Sequence, residues 1–450
     1  MIKMEKVYIS ETDQGVKRAV NEIISKIEDA NGNLLKSSKK VYIKPNGIDF
    51  KPHCHTSPEV LKAVIEYFKS KGAEQIYVME NSTQSNATRL VFEITGYAEV
   101  CEETAAKPVY LDEEKTETFE FKGKPSVSKE HPSGYILKTF RLPKTIVDII
   151  ENRKNVTYIN LPKLKTHSMA VVTLGVKNQW GLPQHSDRGK DHNYNLHSKL
   201  VDVYEHIQPD ITLIDGTEGT IHGHYPPTAF EDELVKDFNI LIGGRDTVAV
   251  DTVGARIFGF SVDEVPHLKI ARERGLGVGD LDKIEVIGKD LTEYDTKYEW
   301  DLLQKFPDDV KIVKGKELLC REGCQNNPLA TLQMLAYDHK EKFNGGFFIV
   351  MGKGHDEDLI EKLKLKGYTK GLVAGFCAID EVGQKLKDSF GKKNVYFSHN
   401  CNNLAETITA LFKLSGVSPF DLVPISTIKA LWILILSKLH GSKALTPSLF

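Results

Sequence analysis

NLPKLKTHSMAVVTLGVKN, residues 160–178, follows without a break on the apolar run VTYIN (156–160), which reads as a buried strand. Lys163, Lys165, His167, Lys177 and Asn178 then fall within sixteen residues, interleaved with Val, Leu and Gly. A loop that needed only to be soluble would not alternate in this way. Cationic donors in apolar company mark the floor of a site for an anionic ligand. If this strand empties into a site, the ends of the other strands decide the fold.

Working outward, residues 5–9 read as a first strand, and a helix runs from about Asp13 to Ile27 with Val16, Ala19, Val20, Ile23 and Ile24 on its apolar side. The strand KVYIK ends at Lys44, and Ser57-Pro58-Glu59 has the hydroxyl, proline and acid of a helix start. That helix stops at Gly72, and QIYVM runs to Met79 and opens into ENSTQSN. The β-α-β-α-β order predicts an α/β fold with a mostly parallel, doubly wound sheet. Short alternating pieces at about 100–140 (PVYL, TFEF, YILKTF) read as an antiparallel insertion. The α/β rhythm then resumes: helix 144–152, strand 156–160, a long polar loop 179–195, helix 196–207, strands ending at Ile214 and Gly243, and helices 247–258 and 263–274. KIEVIG closes this first domain, 1–290, near Gly288. A smaller α/β domain spans 300–415, with strands FFIVMG, GLVAGF and NVYFSH alternating with helices, and 416–450 carries an apolar tail helix.

Five polar clusters each follow a strand: Lys44-Pro45-Asn46, Glu80-Asn81-Ser82, Leu161 to His167, Asp215 to Gly219, and Gly244-Arg245-Asp246. In an open α/β sheet the ligand crevice lies outside the carboxyl ends of the strands, so one site is expected. His167, Lys165 and Lys177 are its catalytic candidates. Lys44, Asn46, Glu80, Lys163, Asn178, Asp215, Glu218 and Asp246 are its substrate-binding candidates, although Asp246 also suits a helix cap.

Composition narrows the partners. With 59 basic and 62 acidic residues, nothing global favours nucleic acid, so an anion site must be local. The start MIKMEKVYIS has no apolar core of signal-peptide length, and no stretch reaches the roughly 20 apolar residues of a membrane span. A cytoplasmic protein with six reduced cysteines is expected, and its apolar tail should dock on the protein itself or on a partner in preference to the alternative, a membrane-surface anchor.

Cys320 and Cys324 lie in ELLCREGCQNNP just before a helix, Cys377 at the end of GLVAGF, and Cys401 after NVYFSH. Three segments thus bring four thiols to one edge, a set that suits a [4Fe–4S] cluster or a structural zinc. His222 and His224, with Asp215 and Glu218 nearby, form a weaker set for zinc or another divalent metal.

YIKPN (42–46), TSPEV (56–60), LPKLKTH (161–167), VTLGVKN with Gly181 (172–181), DGTEG (215–219), GGRDTVAVDTVGARIFGF (243–260) and PHLKIARERGLGVGD (266–280) occur in this order. On these pieces the first 290 residues, about two thirds of the chain, resemble the domain-of-unknown-function family 362, whose members are often fused to ferredoxin-type iron–sulfur modules. The resemblance implies the fold and tips the thiols towards iron and sulfur, although the ferredoxin run C-x2-C-x2-C-x3-C is absent. The expectation is an iron–sulfur-dependent enzyme of redox or lyase type, with a small carboxylate- or phosphate-bearing substrate and a redox partner. Two alternatives stand beside it. One is a divalent-metal-dependent hydrolase or transferase with structural zinc, and the other is a non-catalytic electron carrier or assembly factor.

Overall fold

The computed structural model describes residues 4–82, 86–122, 138–189 and 192–444. The strands of its first part, in chain order, are β1 (Glu5–Glu11), β2 (Lys40–Pro45), β3 (Gln75–Glu80), β4 (Lys107–Tyr110), β5 (Thr116–Glu120), β6 (Thr139–Pro143) and β7 (Thr157–Leu161). They continue with β8 (Lys163–His167), β9 (Val171–Thr173), β10 (Ile211–Thr220), β11 (Val235–Lys236), β12 (Ile240–Gly244) and β13 (Ile284–Gly288). The main sheet has the order β13-β1-β12-β10-β7-β2-β3-β4, with β8 and β11 attached along the far half of β10 and β9 paired with β8. Its pairs are parallel except around β9, β11 and β12.

Side-chain alternation explains why helices cover both faces. Val41 and Ile43 point into a core with the helices Val16–Asn31 and Pro58–Ser70, while Tyr42 between them packs against the core that holds helices Lys144–Glu151 and Leu196–His206. Ser57 caps the second of these helices, accepting a hydrogen bond from Glu59 N at 3.2 Å, with Pro58 in the first turn.

The structure corrects several expectations. LPKLKTH and DGTEG are not loops: Lys163–His167 forms β8, and β10 runs on through Asp215 to Thr220 with an irregularity that lets β8 pair with it. The chain then turns back as a long hairpin, β11 against the end of β10 and β12 along its length, so β12 is antiparallel. Gly244 therefore pairs with Thr212 near the start of β10, and Asp246 lies at the edge opposite the other four clusters.

In the expected antiparallel insertion, residues 97–104 are helical and β4 joins the main sheet in parallel. Only β5 and β6 pair antiparallel, and residues 123–137 lie outside the described residues. The polar segment 179–195 is not an open loop either. Its helical pieces Gln179–Gly181 and His185–Gly189 are largely buried.

The second part has four parallel strands in sequential order, β14 (Val310–Lys314), β15 (Phe347–Met351), β16 (Gly371–Ala374) and β17 (Val395–Ser398), with a core on each face. β14 carries four polar or charged neighbours around a short VKIVK and was not foreseen from the sequence. The tail forms the helix Thr427–Leu439, which docks Ala430 and Leu434 on Ala87 and Leu90 beside the helix Thr88–Thr95. No helix among the described residues is long and apolar enough to cross a membrane.

Candidate functional site

Beneath the carboxyl ends of β2, β3 and β7 lies a fully buried polar layer. Lys44 Nζ pairs with Glu80 at 2.9 Å and donates to Asn178 Oδ1 at 3.2 Å. Asn46 Nδ2 donates to the same oxygen at 2.8 Å, and Asn178 Nδ2 donates to Asn160 Oδ1 at 2.8 Å. Glu80 also accepts from Gly47 N at 2.7 Å and Asn81 N at 2.8 Å. A charge pair taken out of water costs more than it returns unless its remaining donors and acceptors are met, and here they are. Lys44, Asn46, Glu80 and Asn178 thus bond mainly to one another and form the floor of the site.

A second pair stands beside it. Lys163 Nζ lies 3.2 Å from Asp215 and 3.6 Å from Glu218. Asp215 accepts from Ser57 N at 2.7 Å and Thr217 N at 3.0 Å, tying β10 to the start of the helix Pro58–Ser70. Glu218 takes His53 Nδ1 at 2.8 Å, and that bond raises the imidazole's pKa. Lys165 Nζ donates to the carbonyl of Cys54, and burial brings its pKa down to about 8. At the opposite edge, Asp246 caps the helix Thr247–Ile257, accepting from Val248 N and Ala249 N at 2.9 and 3.0 Å, and also takes Val278 N at 2.7 Å.

Above the floor is a cavity of about 130 Å³ between the two sheets. The first part contributes His167, Lys177, Arg188, His192, His224 and Asp49 to its wall. The helices Asn326–Asp338 and Leu404–Ser415 close it with Asn327, Ala330, Met334, Leu404 and Ile408. His167 and His224 stack with ring centres 3.7 Å apart and planes 6° from parallel, and burial holds both far below the usual imidazole pKa. His167 Nδ1 accepts from Met169 N at 3.1 Å, which leaves the proton on Nε2. His224 Nδ1 has no hydrogen-bond partner among the described residues.

Lys177 sits on the four-residue helix Gly175–Asn178. Asp251 seats that turn by accepting Gly175 N at 2.6 Å and Val176 N at 2.7 Å. A Cβ at Gly175 would lie 2.5 Å from Thr247 Cγ2, so only glycine permits the approach. Lys177 is 6 % exposed, and burial followed by the charges of Lys165, Arg188 and Lys44 brings its pKa down to about 7. No carboxylate among the described residues pairs with it, a point that decides the chemistry of the cavity.

Arg188 donates through Nη2 to the carbonyls of Asn81 and Ser82 at 3.0 and 2.7 Å, but its Nε is unmet. Trp180 Nε1 and Asn327 Nδ2 are likewise buried without partners among the described residues. Burial also lowers Arg188 to about 10 and His192 to about 3. Asp49 is the cavity's one carboxylate among the described residues, and desolvation raises it to about 6. The cavity is therefore rich in unused N–H donors and poor in acceptors. Arg188 and His192 lie in the segment expected as a long polar loop, and both are buried.

The four cysteines lie on segments that flank the carboxyl ends of β16 and β17. Cys320 precedes the helical turn Arg321–Gln325 that contains Cys324, Cys377 lies in the turn Phe376–Ala378, and Cys401 follows β17. Gly375, at φ +87°, faces Cys324 so closely that a Cβ there would lie 2.3 Å from Sγ. Burial and then the neighbouring thiols of Cys401, Cys320 and Cys377 push the Cys324 pKa well up, which puts the other three within electrostatic reach of Cys324. Among the described residues no three His, Cys, Asp or Glu side chains converge on one metal ion. His222 and His224 are set apart: His222 Nδ1 bonds the carbonyl of Asp301 at 3.0 Å, whereas His224 belongs to the stacked pair in the cavity.

Thiols and cavity are neighbours. Asn327 and Leu404 in the cavity wall each follow a cysteine by three residues, and Asn193, next to His192, donates to the carbonyl of Cys401 at 3.1 Å.

Comparison with known proteins gives a family and two likenesses. A thylakoid-associated protein of Synechocystis sp. is 27 % identical over 258 residues, which are 54 % of this chain and 71 % of the relative. The crystal structure of a protein from Thermotoga maritima aligns over 88 % of this chain and 82 % of its own at 12 % identity and a TM-score of 0.37. Residues 41–256, the span from β2 through the floor and Lys177 into the helix that carries Asp251, match the family described as "Domain of unknown function (DUF362)".

Proposed function

We propose that the chain is an iron–sulfur-dependent enzyme of redox or lyase type, with a [4Fe–4S] cluster on Cys320, Cys324, Cys377 and Cys401 and a small carboxylate- or phosphate-bearing substrate in the adjacent cavity. The observation that carries the proposal is the buried ammonium of Lys177, without a carboxylate partner among the described residues, beside four clustered thiols. An uncompensated cation in a protein interior is expensive, and an anionic ligand removes the expense.

The donor set fits the group. A zinc ion needs four ligands at about 2.0–2.3 Å from one point. A cubane, with an iron at each of four corners, takes four thiolates, and Cys320, Cys324, Cys377 and Cys401 are four thiols on segments that flank the ends of β16 and β17. Gly375 leaves the Cys324 thiol its room. When bound, the cluster would supply either an electron or an open iron site acting as a Lewis acid.

The chain's own residues have separable tasks. Lys177 neutralises the ligand's charge, and Arg188 Nε, Trp180 Nε1 and Asn327 Nδ2 offer directed donors that orient it. His167 carries a proton on Nε2 at the cavity wall and is the general acid of the set, with His224 stacked on it. Met334, Leu404 and Ile408 exclude water. Reduced cysteines and this oxygen-sensitive chemistry belong in the cytoplasm, with a redox partner delivering electrons.

Anaerobic purification followed by iron analysis and electron paramagnetic resonance of the reduced protein tests the cluster. Brown protein with about four irons per chain, lost in Cys324→Ala, is the expected result. A colourless protein free of iron would overturn it.

A further inference from the structure

The tail helix Thr427–Leu439 is apolar on two sides. One side is used: Ala430, Leu434 and Ser437 are buried, with Ala430 and Leu434 packed beside Ala87 and Leu90. The other side is not. Ile428, Trp432, Ile435 and Leu439 are 83, 64, 42 and 79 % exposed, and their spacing of four, three and four residues aligns them in one stripe. Scattered exposed leucines need no explanation, but these four are half of the eight large apolar side chains exposed among the described residues, all on one 13-residue helix.

We infer that this stripe is a membrane-docking surface that lays the helix in the plane of an anionic bilayer. Three observations favour lipid over protein. First, the charge is one-sided: no Asp or Glu follows Asp421, whereas Lys429, Lys438, His440 and Lys443 do. Lys429 is matched by Glu93, so the attraction rests on Lys438 and Lys443, the former set beside Leu439 at the end of the stripe. Second, the stripe is small. A 13-residue helix is about 20 Å long, so one face offers a few hundred Å², well short of the roughly 800 Å² per partner of a stable protein interface. A bilayer asks for no shape complementarity. Third, Trp432 in mid-stripe suits the headgroup boundary, where an amphipathic ring has one wet and one apolar side. The helix cannot cross the bilayer, which leaves an in-plane arrangement.

This inference is independent of the cluster and of the cavity's ligand. Its test uses the full chain and vesicles of phosphatidylcholine alone or mixed with phosphatidylglycerol, read by co-sedimentation. The expected result is binding to the mixed vesicles that weakens as salt rises. W432S/L439S should bind at least about tenfold more weakly, and K438E/K443E should bind more weakly at low salt. Both pairs are exposed, so an unchanged melting temperature certifies the fold. No sedimentation of wild type with either vesicle, equal binding by W432S/L439S, or a wild-type dimer dissolved by W432S/L439S would each overturn the assignment.

Discussion

Lys44 and Lys177 have the same side chain and nearly the same depth, yet opposite energetics. Lys44 is held between Glu80 and Asn178, so Lys44→Met strands a buried carboxylate and should destabilise the fold by about 3–5 kcal/mol in chemical denaturation. Lys177 has no such partner, and Lys177→Met should stabilise the ligand-free protein while abolishing anion binding. The sign follows from linkage. With a folded pKa of about 7, below the unfolded value of about 10.4, the native state binds fewer protons than the unfolded chain between those values, and wild-type stability rises with pH across that window. The gap between Lys177→Met and wild type should be widest at pH 7 and below, order of a few kcal/mol, and close towards pH 10. Denaturation at a series of pH values checks it, and a gap that grows with pH would contradict an uncompensated ammonium. Both lysines were legible in the sequence as site candidates, Lys177 as a cation in apolar company and Lys44 in the polar cluster at a strand end. Which one meets a carboxylate was not, because Glu80 reaches Lys44 from a neighbouring strand 36 residues away.

At the level of elements, the strand ends do the positioning, and the sequence shows most of them. Alternation in β2, the proline and serine at the start of Pro58–Ser70 and the apolar VTYIN are local signals, so their elements stand where they were expected. β12 was placed correctly along the chain but read with the wrong direction, since nothing within NILIG records whether its hydrogen bonds will be parallel or antiparallel. Its consequence was Asp246, placed among the crevice residues although its sequence context also suited the helix cap that it forms. Close approaches were also invisible: Gly375 reads as an ordinary strand-end glycine until Cys324 Sγ is seen against it. Gly375→Ala meets both a left-handed φ of +87° and a sulfur 2.3 Å away, and should destabilise the chain by about 1–3 kcal/mol in thermal melts. In metal-free protein the displaced Cys324 thiol should also react faster with thiol reagents than in wild type. Wild-type stability together with wild-type reactivity would show that the thiol turn has slack.

Across the whole molecule, neither sheet alone makes the cavity. The first part supplies the charge, and the second supplies the apolar lid and the thiols. Among the polar ties that cross the seam are Lys51 to Asp338 at 2.6 Å, Thr228 N to Asp338 at 2.7 Å, and Asn326 Nδ2 to the carbonyl of Ser168 at 2.6 Å. The last is the most consequential, because Ser168 begins the turn after His167, and Asn326 opens the helix that contributes Asn327, Ala330 and Met334 to the cavity. Its amide also holds Asp301 at 2.6 Å, so the linker between the two parts is fastened at the same point. Two domains could be read from the rhythm of the sequence, but a seam is made of long-range pairs that leave no local pattern, and Asn326 and Asn327 pass for a polar helix start. Asn326→Ala leaves the buried Ser168 carbonyl without this donor, a loss of about 1–3 kcal/mol concentrated at the seam. Calorimetry should then resolve two unfolding transitions where the wild type unfolds in one, and anion affinity should fall although Lys177 and Arg188 are intact. A single transition at the wild-type temperature, with affinity unchanged, would mean that the two sheets are joined by their apolar contacts alone.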